Sequence, residues 1–392
     1  MNQELYKNET AESAPDGACC ELLRAVARPS ADDFRICELA KNIRDWGEML
    51  RVSKQHRILP LLYTRLTGAD APVPAEAQRR LQAEYQRNLF HCMANAAELI
   101  ALLKTFDAQA IPIMPFKGVV LAASAYGDHT ARTAGDLDLL IHPRDIQCAA
   151  QLMIDRDYTL RTPTNADLSP LNSADYEYHF ERRGDGMVTE LRWQLDFVLS
   201  KYERNLGMDW VWPRRRAATL AGATVPDLVP ETMLLLLCMH GCKHVWHRLA
   251  WIVDVAQLIV SCPQLNWEEV EREARHIGLW RALGLGLLLA QRITGCPVPQ
   301  HLFRKFESNR NIRSMAEHID DHLFDAPGLT PRGWVPYSVR LLGFRDQLRL
   351  LLSLDLLKPT ERDRAAIALP RGLQALYYVI RPFRLLFDRR PR

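Results

Sequence analysis

Two aspartates, Asp136 and Asp138, stand one residue apart at the start of an apolar run, TAGDLDLLI. Side chains of a strand alternate between its faces, so both carboxylates would point the same way, about 6–7 Å apart along the backbone. Two anions held so close repel unless a positive group neutralises them. Hard divalent cations prefer oxygen ligands, so the pair is typical of a Mg²⁺ or Mn²⁺ site that also binds a substrate phosphate. The alternative is an edge strand with a solvated polar face.

Positive and backbone groups for a phosphate stand just upstream. Lys117 and Gly118 lie between a short apolar run, IPIMPF, and a run with helical character, KGVVLAASAY. Amide groups at the start of a helix favour a phosphate, and glycine lets the ligand approach closely. Lys117 adds a charge, and so does Arg132, four residues before Asp136. The pattern predicts a phosphate-binding turn beside the carboxylates.

A third carboxylate follows in a predicted β-hairpin. The runs YEYHFER and VTELRWQL alternate in polarity, and Gly184 and Gly186 supply a turn between them. Glu190 lies in the second strand, from which it can reach the same site. Asp196 has the same parity near the end of the run and competes for this role.

The helical and strand patterns divide the chain into four parts. We predict a disordered polar N-terminus (1–17), an N-terminal helical region (18–108), an α/β core (109–205) and a C-terminal helical domain (206–392). The core reads strand, helix, strand, helix and hairpin. The expected fold class is therefore α+β, with a small mixed sheet flanked by helical regions.

Composition narrows the class of protein. The 392 residues are 48% hydrophobic with a formal charge of +3, which is typical of a globular protein and gives no reason to expect a general nucleic-acid binder. The start of the chain is polar, and the apolar runs are shorter than a membrane span, so we expect no stable membrane insertion. Nine cysteines without a CxxC suggest reduced thiols and a cytoplasmic location. The chain contains no P-loop, G-x-S-x-G or H-E-x-x-H.

Histidines and cysteines cluster in a later helical run. Cys238, His240, Cys242, His244 and His247 have spacings that share a helix face, which could bind zinc. The run is strongly apolar, however, and a buried free cysteine behaves as a small hydrophobe. The histidines could instead face the cleft and contact substrate, or pack between helices.

The stretch KGVVLAASAYGDHTARTAGDLDLLI resembles the signature of the uncharacterised nucleotidyltransferase family, which belongs to the DNA polymerase β-type nucleotidyltransferase superfamily. The signature residues are Lys117, Gly118, Tyr126, Arg132, Asp136 and Asp138. ELRW resembles an acidic-Leu-His-Trp strand of that family. HGCKHVWHRLAWIVD resembles its later helix, with matches at His240, His244, Arg248, Leu249, Trp251 and Asp254.

The resemblance implies roles for these positions. Asp136 and Asp138 would hold the metals, and Glu190 would be the third ligand or the base. Arg192 replaces the usual histidine of the hairpin strand and could still meet a phosphate. Possible substrate contacts are Tyr126, His240, His244, Arg248 and Asp254.

The implied reaction transfers an NMP group from an NTP to an unidentified hydroxyl-bearing acceptor with release of pyrophosphate. A small-molecule acceptor is favoured over RNA, because the charge is nearly neutral, and over protein. The superfamily usually places Gly-Ser or Gly-Gly closer to the aspartates, whereas this chain has Gly118-Val119. That departure supports the alternative, a catalytically degenerate scaffold that binds a nucleotide or a partner.

Overall fold

A computed structural model describes residues 15–30, 32–133, 135–170, 176–195, 206–325 and 376–377. Most of the predicted disordered N-terminus lies outside the described residues, as does Asp196. The helices are α1 (Gly17–Val26), α2 (Asp33–Lys41), α3 (Trp46–Gln55), α4 (Leu59–Gly68), α5 (Ala75–Asp107), α6 (Gly118–Tyr126), α7 (Ile146–Asp155), α8 (Met208–Val211), α9 (Pro230–Lys243), α10 (Leu249–Ser261), α11 (Trp267–His276), α12 (Trp280–Thr294), α13 (Gln300–Glu307) and α14 (Arg310–Asp321).

The strands form a mixed sheet and a separate hairpin. Their bounds are β1 (Ile113–Pro115), β2 (Leu137–Ile141), β3 (Tyr158–Leu160), β4 (Glu177–Arg182), β5 (Val188–Arg192), β6 (Arg215–Leu220) and β7 (Ala223–Leu228). The order in the sheet is β1-β2-β5-β4-β3, with β2 parallel to β5 and the other neighbours antiparallel. The predicted α+β class and the β4–β5 hairpin are confirmed. The β6–β7 hairpin lies in the part that we expected to be helical.

The two faces of the sheet pack into different cores. Leu137, Leu139 and Ile141 of β2 belong to a core with α5 and α7. Leu140 and Met114 point the other way, into the core of the C-terminal helices. Asp138 has the parity of Leu140, so its carboxylate lies on the face that the C-terminal helices cover.

Helix α5 spans 33 residues and supports the sheet. Among the described residues it alone is long and apolar enough to cross a membrane, by length and composition. The sequence contains no uninterrupted apolar run of that length, because α5 mixes polar residues into its apolar pattern. The core helix of a soluble protein passes the same test, and Leu99, Leu102 and Phe106 are buried against the sheet.

Candidate active site

Two carboxylates lie side by side on neighbouring strands. Asp138 of β2 and Glu190 of β5 are register partners in the parallel pair. Strand β2 begins at Leu137, so Asp136 lies just before the strand and not within it. Leu137 and Leu139 are buried on the opposite face. The expected alternation of β2 is therefore confirmed, and the two carboxylates face the C-terminal helices.

Protein cations surround the Asp138 carboxylate. Its Oδ2 lies 3.2 Å from Lys117 Nζ, and its Oδ1 lies 3.4 Å from Arg192 Nε. Burial is the largest influence on this group and raises its pKa to about 6. Lys117 and Arg192 oppose that rise, whereas the charges of Asp136 and Glu190 add to it. The effect of burial on Asp138 thus outweighs that of the two neighbouring cations.

Glu190 is held by a second set of partners from β4 and β5. Its Oε1 lies 3.2 Å from His179 Nδ1, and its other oxygen accepts a hydrogen bond from Arg192. Arg192 also pairs with Glu177, which lies 3.2 Å from His179 Nε2. Although burial opposes ionisation of Glu190, His179 and Arg192 hold its pKa below the usual range. Hydrogen bonds to Glu177 and Glu190 raise the pKa of His179 to about 9.

The backbone between β1 and α6 is strained at the site. Lys117 has φ 62° and ψ −146°, a region that is nearly exclusive to glycine, and Gly118 follows with φ 53°. This turn points the Lys117 ammonium at Asp138. The same Nζ lies 3.5 Å from Nδ1 of His240 on α9. The predicted Lys-Gly turn is thus joined to both the aspartate and the C-terminal helices.

One face of α5 fixes the loop that leads to Asp136. Asn88 donates to the carbonyl oxygen of Thr130 at 3.2 Å. His91 Nε2 lies 2.9 Å from the carbonyl oxygen of Gly135, which also accepts a hydrogen bond from Asn95 at 3.2 Å. Their spacing, i, i+3 and i+7, puts the three side chains on one face of the helix. This polar stripe was missed in the sequence, although its helical period was a readable signal.

Arg132, Asp254 and Tyr126 form a buried polar group between the core and α10. Arg132 donates to both Asp254 oxygens, at 3.0 and 2.8 Å, and Tyr126 donates to Oδ1 at 2.7 Å. Arg132 also donates to the Gly118 carbonyl at 3.4 Å. Burial, followed by the charge of Asp254, raises the pKa of Tyr126 well above its ordinary value. Here the three side chains satisfy one another, so their contact with nucleotide or substrate stays a prediction.

Rings from α9 and α10 extend the site beyond Lys117. His244 stacks on Trp251 with centroids 5.0 Å apart, and His240 meets the same ring edge-on at 5.3 Å. Burial lowers the pKa of His244 to about 2 and that of His240 well below its usual value, so both are neutral. The Arg248 guanidinium lies 5.3 Å from the Trp251 centroid. His240 thus borders the carboxylates, whereas His244 and Arg248 lie further out.

The cysteines of α9 belong to the core. Cys238 lies against Gly286, and Cys242 accepts a hydrogen bond from Trp246 at 3.4 Å. Among the residues that the structure describes, no group of three or more His, Cys, Asp or Glu side chains is arranged to hold a metal ion. The packing interpretation of these cysteines therefore accounts for their burial.

The carboxylates suit a hard cation in their chemistry. Asp136, Asp138 and Glu190 offer only oxygen donors, as Mg²⁺ prefers. In this arrangement Lys117 and Arg192 already neutralise Asp138 and Glu190. Within the described part of the chain, the Asp136 side chain has no hydrogen bond or ion pair, so it is available to a ligand. Binding of a cation would require the two protein cations to shift.

A mixed sheet that brings a Lys-Gly turn and acidic residues of two parallel strands together defines a nucleotidyltransferase-like class. The protein family described as "Uncharacterised nucleotidyltransferase" matches residues 42–295. That match covers more than half of the 392 residues, so the chain belongs to this family. The recognised resemblance is confirmed, and it supports nucleotidyl transfer in general terms.

Other comparisons add little. No curated protein matches the chain. The solution structure of antibiotic-resistance factor ANT(2'')-Ia is 14% identical, covers 48% of this chain and 95% of its own, and has a TM-score of 0.34. The crystal structure of an antigenic nucleotidyltransferase-like protein from Paracoccidioides brasiliensis is 16% identical, covers 48% of this chain and 91% of its own, and has a TM-score of 0.31.

Proposed function

We propose that the protein is a metal-dependent nucleotidyltransferase that transfers an NMP group from an NTP to a hydroxyl-bearing acceptor and releases pyrophosphate. The observation that carries the proposal is the register of Asp138 with Glu190, with Lys117 of the strained turn held against Asp138. Family membership supports the same class of reaction. Asp136 and Asp138, with Glu190, would hold Mg²⁺ or Mn²⁺, which when bound would neutralise the phosphate oxygens of the NTP.

The surrounding residues would bind the phosphates and orient one another. Lys117 and the Gly118 amide would stabilise charge on the phosphates at the start of α6. Arg192 would turn from Asp138 to a phosphate. Glu190 is a weak proton acceptor while His179 and Arg192 hold its pKa low, so besides binding the metal it would orient these two side chains and would not act as the base.

The acceptor would enter between the carboxylates and the rings of α9 and α10. His240 and His244 are neutral and half-buried there, which suits hydrogen bonds to hydroxyl groups. We favour a small molecule over RNA or protein as the acceptor. A cytoplasmic location is also part of this proposal, since all nine cysteines are free thiols.

The test measures products. Wild type and Asp138→Asn would be incubated with each NTP, Mg²⁺ or Mn²⁺ and a panel of hydroxyl-bearing acceptors. Released pyrophosphate would be assayed, and the masses of the acceptors would be measured by mass spectrometry. We expect pyrophosphate and an acceptor heavier by one NMP from wild type, and a rate at least about 100-fold lower from Asp138→Asn. Asp185→Asn is the matched control, because Asp185 lies in the β4–β5 turn and pairs with Arg182. Equal release from wild type and Asp138→Asn would contradict the proposal.

One observation favours a second candidate, a nucleotide-binding or partner-binding scaffold. Both oxygens of Asp138 are paired with cations of the protein itself, so the carboxylates are stable without a metal. The Gly118-Val119 sequence also lacks the usual serine hydroxyl. Tight NTP binding by wild type, with every NTP left intact in the same assay, would support the scaffold.

A further inference from the structure

The turn between α3 and α4 is docked on the start of α10. The first amides of α10 receive no side-chain cap from Arg248, the residue before the helix. Instead Leu249 N–H donates to Nδ1 of His56 at 3.2 Å, and Ala250 N–H donates to the His56 carbonyl at 3.2 Å. His56 therefore caps a helix of the C-terminal part from the N-terminal region. The residue after it is fixed in space by the same contacts.

That next residue, Arg57, reaches the loop that carries Asp136. Its backbone has φ 54°, in the left-handed region. A Cβ placed on Gly135 would lie 3.6 Å from Arg57 Nη1 and 3.8 Å from Nη2, so the guanidinium lies beside the residue preceding Asp136. Two side chains of α5 bind the Gly135 carbonyl oxygen, so the backbone beside the Arg57 guanidinium is held in place.

The Arg57 guanidinium has no partner in the described part of the chain. Its five N–H donors form no hydrogen bond there, and no carboxylate pairs with it, although the residue is half-buried. Partial burial of an unpaired charge costs free energy. The charge of Arg57 also affects His247. Burial is the largest cause that lowers the pKa of His247 to about 4, and the charges of Arg248 and Arg57 lower it further. The donors of Arg57 are therefore available to an anionic ligand.

We propose that Arg57 binds the phosphate chain of the nucleotide, which makes the N-terminal helical region part of the nucleotide site. This inference rests on the proposed function. A guanidinium fork matches phosphate oxygens in a bidentate arrangement, and the Arg57 guanidinium lies beside Gly135, the residue before Asp136. Arg57 lies outside the signature stretch, so no sequence pattern indicates this role.

The experiment compares Arg57→Gly and Arg57→Lys with wild type by isothermal titration of ATP, CTP, GTP and UTP with Mg²⁺, and of the matching nucleosides. Glycine accepts φ 54° without strain, so Arg57→Gly removes the guanidinium and preserves the turn. Arg79→Ala is the control, because Arg79 lies on α5 with a side chain 70% exposed and pairs with Glu76. Thermal unfolding of each variant within a few degrees of wild type shows that the fold is kept.

We expect Arg57→Gly to weaken binding of the preferred NTP about 10- to 100-fold, as the loss of charge-assisted hydrogen bonds does, and to leave nucleoside binding unchanged. Arg57→Lys should fall between it and wild type, and Arg79→Ala should match wild type. Equal NTP affinity of Arg57→Gly and wild type would overturn this inference and leave the proposed function standing. Wild type that binds no NTP would overturn both. Binding that depends on Arg57, without turnover, would overturn the proposed enzyme alone.

Discussion

Asp138 and Glu190 stand directly opposite each other on parallel strands, and Arg192 contacts both carboxylates. Neighbouring strands lie about 4.8 Å apart, so the two acids are forced together by the register of β2 with β5. Lys117 contributes the remaining positive charge. The sheet thus keeps Asp138 and Glu190 close together. The side chains of Arg192 and Lys117 neutralise them and could also bind a phosphate.

Strain at Lys117 predicts a separation of stability from function. Lys117→Gly relieves backbone strain of about 1–3 kcal/mol, whereas Lys117→Met keeps the strain, and both lose the pair with Asp138. We therefore expect the glycine variant to be more stable than the methionine variant by about 1–3 kcal/mol in urea unfolding. Both should lower nucleotidyl transfer about 100-fold or more. Equal stability of the two variants would contradict this prediction.

The buried contact of Arg132 with Asp254 predicts a large loss of stability. Asp254→Asn removes the counter-charge of the Arg132 guanidinium. The loss is costly because the Asp254 side chain is only 2% exposed, so the unpaired charge would be buried. We expect the free energy of unfolding to fall by about 3–5 kcal/mol in chemical denaturation. Tyr126→Phe, which removes one hydrogen bond to the same carboxylate, should cost about 1 kcal/mol. A smaller loss in Asp254→Asn than in Tyr126→Phe would contradict this assignment.

Burial of His56 predicts sensitivity to acid. Burial lowers its pKa to about 3, whereas a histidine of the unfolded chain titrates near 6.5. Between pH 3 and pH 6.5 the unfolded state binds more protons than the folded state. The contribution of neutral His56 to the free energy of unfolding is therefore complete above pH 6.5 and is lost as the pH falls toward 3. The full contribution is about 5 kcal/mol.

Urea unfolding at several pH values checks this prediction. Wild type should lose up to about 1.4 kcal/mol per pH unit more than His56→Asn below pH 6. Asparagine is the suitable replacement because its amide oxygen can still accept the Leu249 N–H but does not titrate. Parallel pH profiles of the two proteins would count against it.

The pairing of His179 with two glutamates predicts an alkaline titration. Its pKa is raised to about 9, so this stabilising charge is present below pH 6.5 and is lost as the pH rises through 9. Because the side chain is 39% exposed, we expect it to contribute less than about 1 kcal/mol. NMR titration should give a pKa near 9 in wild type and a lower value in Glu177→Gln. An unchanged value in that variant would show that Glu177 does not hold the charge.

Local patterns predicted β1, β2, β4 and β5 but not the short strand β3, because alternation and turn residues act over short distances. The β4–β5 hairpin, the β2 strand and the turn at Lys117 are all where the sequence indicated. The partners of the acids were not predictable, since they depend on strand register. Arg192 contacts Asp138, Glu177 and Glu190, and its contact with a phosphate stays a prediction.

Contacts between distant parts of the chain were also beyond sequence reasoning. Nothing local indicates that His56 would cap α10, because the two are separated by 193 residues. The polar stripe on α5 is visible as a period, but its target, the loop at Gly135, depends on the packing of α5 against the sheet.

The cap that His56 supplies to α10 bears on how the molecule could be dissected. Excising residues 109–205 would strip the sheet of the helices that cover its acidic face, and deleting residues before α5 would leave the first amides of α10 unsatisfied. We expect such fragments to be poorly soluble and not to fold on their own. The smallest autonomous unit is expected to begin before α3 and to extend through α14, because Phe306 of α13 and Ile312 of α14 belong to the same core as α12.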